Sequence, residues 1–143
     1  MDDRFTLRPL ARWYMIAAIA SLLFMVLGCA ALAAHLAANP ASLPLDQRAL
    51  FEAEPGWILA ASGVGLITGA AGGLLLVLRK RAAEPLMLIS FLAMCVWLAG
   101  MFATPAFRDL LPIDRIAIAL VAVAVVWTIY WFARHSRQRG WLR

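Results

Sequence analysis

The chain has 143 residues, of which 64% are hydrophobic and only 15% charged, and its mean hydropathy is +0.83. That balance excludes a water-soluble globular domain. The formal net charge is +5, but the basic residues sit beside apolar runs, where lipid headgroups lie, and this argues against nucleic acid as a partner.

Four stretches without Asp, Glu, Lys or Arg follow one another: Trp13 to Ala38, Pro55 to Leu78, Pro85 to Phe107 and Ile116 to Ala133. A helix rising ~1.5 Å per residue needs about 20 apolar residues to cross a hydrocarbon core of about 30 Å, so each stretch predicts a membrane helix. Backbone groups in lipid must be satisfied within the segment, and the lack of period-two alternation selects helices over a barrel. The expected fold is all-α, an antiparallel four-helix bundle forming one transmembrane domain over residues 1–143. Its helices are expected at about 12–38, 55–80, 84–106 and 113–135.

Trp13 and Tyr14 begin the first helix, as amphipathic rings at a headgroup belt do. Further on, Met25-Val26-Leu27-Gly28-Cys29 fits the loose pattern of a bacterial lipoprotein signal. Val26 and Leu27 are bulky where small residues are wanted, however, and apolar sequence runs on to Ala38, so the segment is read as a full span. Pro40 and Pro44 end this helix, Asp46 is placed to cap a short new one through Ala53, and Pro55 with Gly56 stops it. Leu45, Leu50, Phe51 and Ala53 are apolar among Asp46, Gln47, Arg48, Glu52 and Glu54, so 45–54 predicts a short interfacial helix in the first external loop. With His35 close by, Asp46, Phe51, Glu52, Glu54 and Trp57 make a candidate docking element or lid. No acid stands at metal-ligand spacing from His35, and neither a metal nor a cofactor is expected.

The second helix carries Gly65, Gly69 and Gly73 at every fourth position, with Ala61 extending the row. Small residues so spaced open a groove that another helix can approach closely. The partner is a helix of this chain, a second copy, or a subunit of another membrane protein. Cys95 lies near the middle of the third helix and Cys29 toward the far end of the first, so no disulfide is expected. Trp127, Tyr130 and Trp131 close the fourth helix on the side where Trp13 and Tyr14 open the first. Arg134, Arg137, Arg139 and Arg143 then form a basic tail over 134–143, suited to contact with anionic lipid.

Ten of the 13 Lys and Arg residues fall on one side of a chain that crosses four times: Arg4, Arg8, Arg12, Arg79, Lys80, Arg81 and the four of the tail. Only Arg48, Arg108 and Arg115 lie opposite, among five acids, so both termini are expected in the cytoplasm. Polar groups within the spans are few. Ser21, Ser62, Thr68, Ser90 and Thr128 are each able to bond to their own helix backbone. No carboxylate, Lys or Arg lies deep in a span, which argues against ion-coupled transport, and no nucleophile stands with a base. His35 and His135 are a membrane thickness apart and cannot share one haem.

Three segments carry a resemblance: Asp46-Gln47-Arg48-Ala49-Leu50-Phe51-Glu52, the glycine-rich second helix running into Arg79-Lys80-Arg81, and Trp131-Phe132-Ala133-Arg134. In these the chain resembles a group of small uncharacterised four-transmembrane-helix proteins of proteobacterial inner membranes, some of which carry a sugar-transporter label. The resemblance covers nearly the whole chain and implies a multi-pass protein of the bacterial inner membrane. The proline-glutamine motif of small sugar facilitators is missing. Three classes of function follow. The first expectation is a non-catalytic accessory or assembly subunit acting through helix contacts, with lipids and other subunits or further copies of itself as partners. An oligomeric facilitator for a small neutral solute such as a sugar, its path lined by hydroxyls and Trp97, is the alternative. The third is an enzyme acting on lipid or a periplasmic substrate through His35 and the acidic loop.

Overall fold

The computed structural model describes residues 12–143, so Asp2, Asp3, Arg4 and Arg8 lie outside the described residues. Of the described residues 84% are helical. In chain order they form α1 (Arg12–Ala37), a 3-10 turn (Pro40–Ser42), α2 (Leu45–Ala53), α3 (Gly56–Val77), α4 (Ala83–Ala103), α5 (Pro105–Arg108) and α6 (Ile113–Gln138). Four of them, α1, α3, α4 and α6, are long and apolar enough to span a membrane.

Prolines set most of the boundaries. Pro44, Pro55 and Pro112 stand at the N-caps of α2, α3 and α6, where a missing N–H costs nothing. Asp46 therefore does not cap α2. It sits in the first turn, where its charge favours the positive end of the helix dipole. The third span stops at Ala103, short of the expected 106, because Thr104 is extended ahead of Pro105. The fourth continues to Gln138, so the first part of the basic segment is helix.

Neighbouring long helices run antiparallel. Along α1 and α3, Leu22 meets Gly73, Met25 meets Gly69 and Leu32 meets Gly63. Along α3 and α4, Met94 meets Gly65 and Met87 meets Gly72, while Phe91 of α4 meets Trp127 of α6. The last seam differs, since α1 and α6 do not pack backbone to backbone. The helices thus form an open arc in the order α1, α3, α4, α6. One end holds the start of α1, the α3–α4 turn and the end of α6, and is called here the terminus end. The other, the loop end, holds α2 and α5. Tyr14, Met25, Leu76, Met87, Val126 and Phe132 fill the core toward the terminus end, and Leu50, Ile58, Met101, Phe107 and Ala119 form a second cluster at the loop end.

Two matching helix stops lie side by side at the terminus end. After α3, Arg79 N–H donates to Leu76 O at 3.1 Å and Lys80 N–H to Leu75 O at 2.8 Å. After α6, Gly140 N–H donates to Arg137 O and Trp141 N–H to Ser136 O, both at 3.0 Å. Each is a Schellman motif, with the left-handed residue Arg79 (φ 59°) in one and Gly140 (φ 71°) in the other. The two are laced together. Arg143 N–H donates to Arg79 O, Arg81 N–H to Arg143 O, and Arg79 Nε to Trp141 O at 3.1 Å. Trp141 and Leu142 are consequently buried, so the segment after α6 folds back as a clasp and does not trail away as a tail.

Candidate functional site

The glycine row lies at the centre of the arc. A Cβ added at Gly65 would meet Met94 of α4 at 3.0 Å, one at Gly69 would meet Met25 of α1 and Ser90 of α4, and one at Gly73 would meet the Leu22 backbone at 3.1 Å. Gly65, Gly69 and Gly73 are therefore covered by two helices of the same chain, while Ala61, a turn closer to the loop end, is half-buried. Ser90 is drawn into this seam. Its hydroxyl donates to Gly65 O across the helix pair at 2.6 Å, whereas Ser21, Ser62, Thr68 and Thr128 each bond within their own helix.

Where the arc widens toward the loop end, a cavity of about 310 Å³ opens between α1, α3, α4 and α6. Its wall is apolar, built from Leu32 and Gly28 of α1, Leu66 of α3, Trp97 and Met101 of α4, and Ala119 of α6. Phe107, carried on α5 and 1% exposed, also lines it, held there by the turn that Pro105 forces. Ser62 is the hydroxyl in the wall, and its proton is committed to Leu59 O at 2.7 Å.

Polar groups gather at the rim. His35 Nε2 lies 2.9 Å from the accepting Glu54 Oε2, whose side chain is only 12% exposed. Phe51 of α2 packs against the imidazole at 4.8 Å between ring centres. The end of α1 is thereby tied to α2 and to its C-cap residue Glu54. Arg115, in the first turn of α6, lines the cavity with them and also faces a neighbouring cleft of about 80 Å³ shared with His35, Gln47 and Phe51. Ion pairs among the described residues are His35–Glu54, Arg48–Glu52, Arg108–Asp109 and Arg137–Glu84, so Arg115 takes part in none.

The candidate lid residues thus part company. His35, Glu54 and Phe51 come together, while Asp46 is exposed on α2 and Glu52 is exposed and paired to Arg48 at 2.8 Å. Trp57, half-exposed, covers Gly100 of α4, where a Cβ would come within 2.6 Å of its ring. At the terminus end Arg134 lines a cleft of about 270 Å³ with Trp127, Tyr130, Trp131 and His135. Arg137 reaches Glu84 at 2.6 Å, and Arg139 and Arg143 belong to the clasp.

Arg115 and Phe107 were not separable in the sequence from other residues near helix ends, because nothing in their spacing announces that the chain returns them to His35. Chemically the site has an apolar body with its polar groups at one mouth, the ordinary build of a small-molecule pocket. His35 and Glu54 have neither a hydroxyl nor a thiol within hydrogen-bond reach, and no cluster of three His, Cys, Asp or Glu side chains exists among the described residues. No protein-family model matches the chain, and no curated protein or solved structure matches it either.

Proposed function

We propose that this multi-pass membrane protein works by binding and not by catalysis, taking a small, largely apolar molecule into the cavity at the loop end. The observation that carries the reading is the cavity itself, apolar in its wall and polar at one mouth. Its volume falls at the low end of the ~300–1,000 Å³ range of ligand pockets. Toward the terminus end the helices are filled by Tyr14, Met25, Val126 and Phe132, which favours a pocket over a conduit for solute. An accessory-subunit role needs a contact surface other than Gly65, Gly69 and Gly73, since α1 and α4 cover them.

The orientation we propose places the termini and the clasp in the cytoplasm and the cavity toward the opposite face of a bacterial inner membrane, with α2 at the interface. Its support is the distribution of charge, with Arg79, Lys80, Arg81, Arg134, Arg137 and the basic residues of the clasp at one end and Arg48, Arg108 and Arg115 at the other.

Native mass spectrometry of protein extracted in a mild non-ionic detergent tests the binding reading. The expected spectrum carries one extra small-molecule mass per chain, lost when Ala31→Leu and Ala119→Leu narrow the cavity. A ligand present at 100 times its dissociation constant adds about 2.7 kcal/mol to stability, so the same compound added back raises Tm. An unloaded native protein whose Tm is moved by none of a panel of apolar compounds overturns the reading.

A further inference from the structure

We infer that the occupant of the cavity is a single-chain amphiphile with an ionised acid head, held at the head by Arg115 and lying with its chain in the seam between α1 and α6. The inference rests on the binding reading above and adds the chemical class.

The shape of the apolar space calls for a chain. A second, wholly apolar groove of about 300 Å³ lies on the same seam, lined by Phe24 of α1 and Ala117, Val121 and Ala122 of α6, and it shares Ile118 with the cavity. Because α1 and α6 do not pack backbone to backbone, and Ala31 and Ile118 at the opening are exposed, the space is reached from the flank of the bundle. In a membrane that flank faces acyl chains, so an amphiphile passes in sideways without leaving lipid.

The head is defined by charge. All three ionisable rim groups sit at one extreme of the space, and His35 and Glu54 answer each other at 2.9 Å. Arg115 is left with no acid within ion-pair distance among the described residues; its neighbour Asp114 is exposed and does not line the cavity. A planar guanidinium beside an apolar slot selects a carboxylate or phosphate, to which it offers two parallel N–H donors. A cationic head would meet Arg115 with repulsion, and a neutral one would leave it unused. Depth agrees, since Arg115 stands in the first turn of α6, where the span begins, and the groove runs from there toward mid-span. An acid head at that level and a chain pointing inward match the way amphiphiles already stand in a leaflet.

The test is a native mass spectrometry titration of the full chain with dodecanoate, dodecyl phosphate, dodecanol and dodecyltrimethylammonium. At least one acid is expected to bind about tenfold or more tightly than dodecanol, the ammonium most weakly, with the better acid identifying the head. Arg115→Gln, an exposed substitution that the fold tolerates, is expected to erase the preference while dodecanol still binds. Val121→Trp, which fills the groove beyond the cavity, is expected to weaken dodecanoate severalfold and leave octanoate unchanged. Equal binding of acid and alcohol to the native protein, or an acid preference that survives Arg115→Gln, overturns the inference and leaves the pocket standing. Failure of all four compounds to bind the native protein defeats the pocket reading as well.

Discussion

Gly69 has no room for a side chain. A methyl group there would lie 2.6 Å from Met25 Sδ and 2.7 Å from Ser90 Oγ, and clearing Ser90 breaks its bond to Gly65 O. Gly69→Ala is expected to cost about 1–3 kcal/mol, the usual price of overpacking. At Gly63 the added carbon would meet only Leu32 Cδ2, at an ordinary 3.7 Å. Gly63→Ala is therefore expected to be neutral or to stabilise by up to ~1 kcal/mol through helix propensity. Thermal unfolding of the two variants in one detergent checks the contrast, and equal effects would refute the packing argument. Replacing Gly69 with Leu consequently tests the fold and not a partner surface. The four-residue spacing of the row was plain in the sequence, but its occupants were not, because a groove of small residues looks the same whichever helix fills it. Ser90 illustrates the same limit. Its hydroxyl has an acceptor in its own helix as any serine does, and only the close approach of α3 makes Gly65 O the better one.

At the scale of elements, the clasp decides how α1 and α6 meet. Their side chains touch at the terminus end, where the Phe132 ring lies 5.4 Å from Tyr14 and 5.7 Å from Trp13, and Trp141 packs edge-on to both at 5.6 and 5.8 Å. Tyr14 also donates its hydroxyl to Leu76 O at 2.7 Å, closing α1 onto the last turn of α3. Trp141→Ala removes the centre of this cluster, and a loss of about 3–5 kcal/mol is expected from chemical or thermal unfolding. Gly140 holds the turn that delivers Trp141, so Gly140→Ala is expected to cost about 1–2 kcal/mol although no atom lies near the added carbon. Gly56→Ala, in equally open space but with ordinary φ, is the control expected to show no loss. Composition marked residues 134–143 only as basic. The helix stop was latent in Gly140, but the burial of Trp141 and Leu142 depends on a second stop far earlier in the chain, at Arg79, where the sequence offers an arginine in place of the customary glycine.

For the whole molecule, the spans were legible because lipid imposes a one-dimensional rule, a sustained run without charge, that needs no knowledge of neighbours. The cavity was not, because it is the space left over when four helices form an arc and not a closed square. His35 and Glu54 are 19 residues apart and find each other only because α2 turns the chain back. The proposed orientation has a direct check in a chain whose Cys29 and Cys95 are replaced by Ala. A membrane-impermeant maleimide applied to intact cells is expected to label Ser42→Cys, whereas Gln138→Cys is expected to react only after permeabilisation. The reverse pattern would invert the assignment.

The glycines that bring α3 so close to α1 and α4 also give it the lowest mean hydropathy of the four spans. Each side chain withheld from its surface is one that cannot speak for it at the translocon, where a helix is admitted on its own merits. Biogenesis then acquires an order. α1 is expected to enter first and unaided, and α3 to be held in the bilayer by pairing with α4 as the second arm of a hairpin. A nascent chain stopped before Ala83 should accordingly leave much of α3 outside the bilayer, and synthesis as far as Ala103 should restore it.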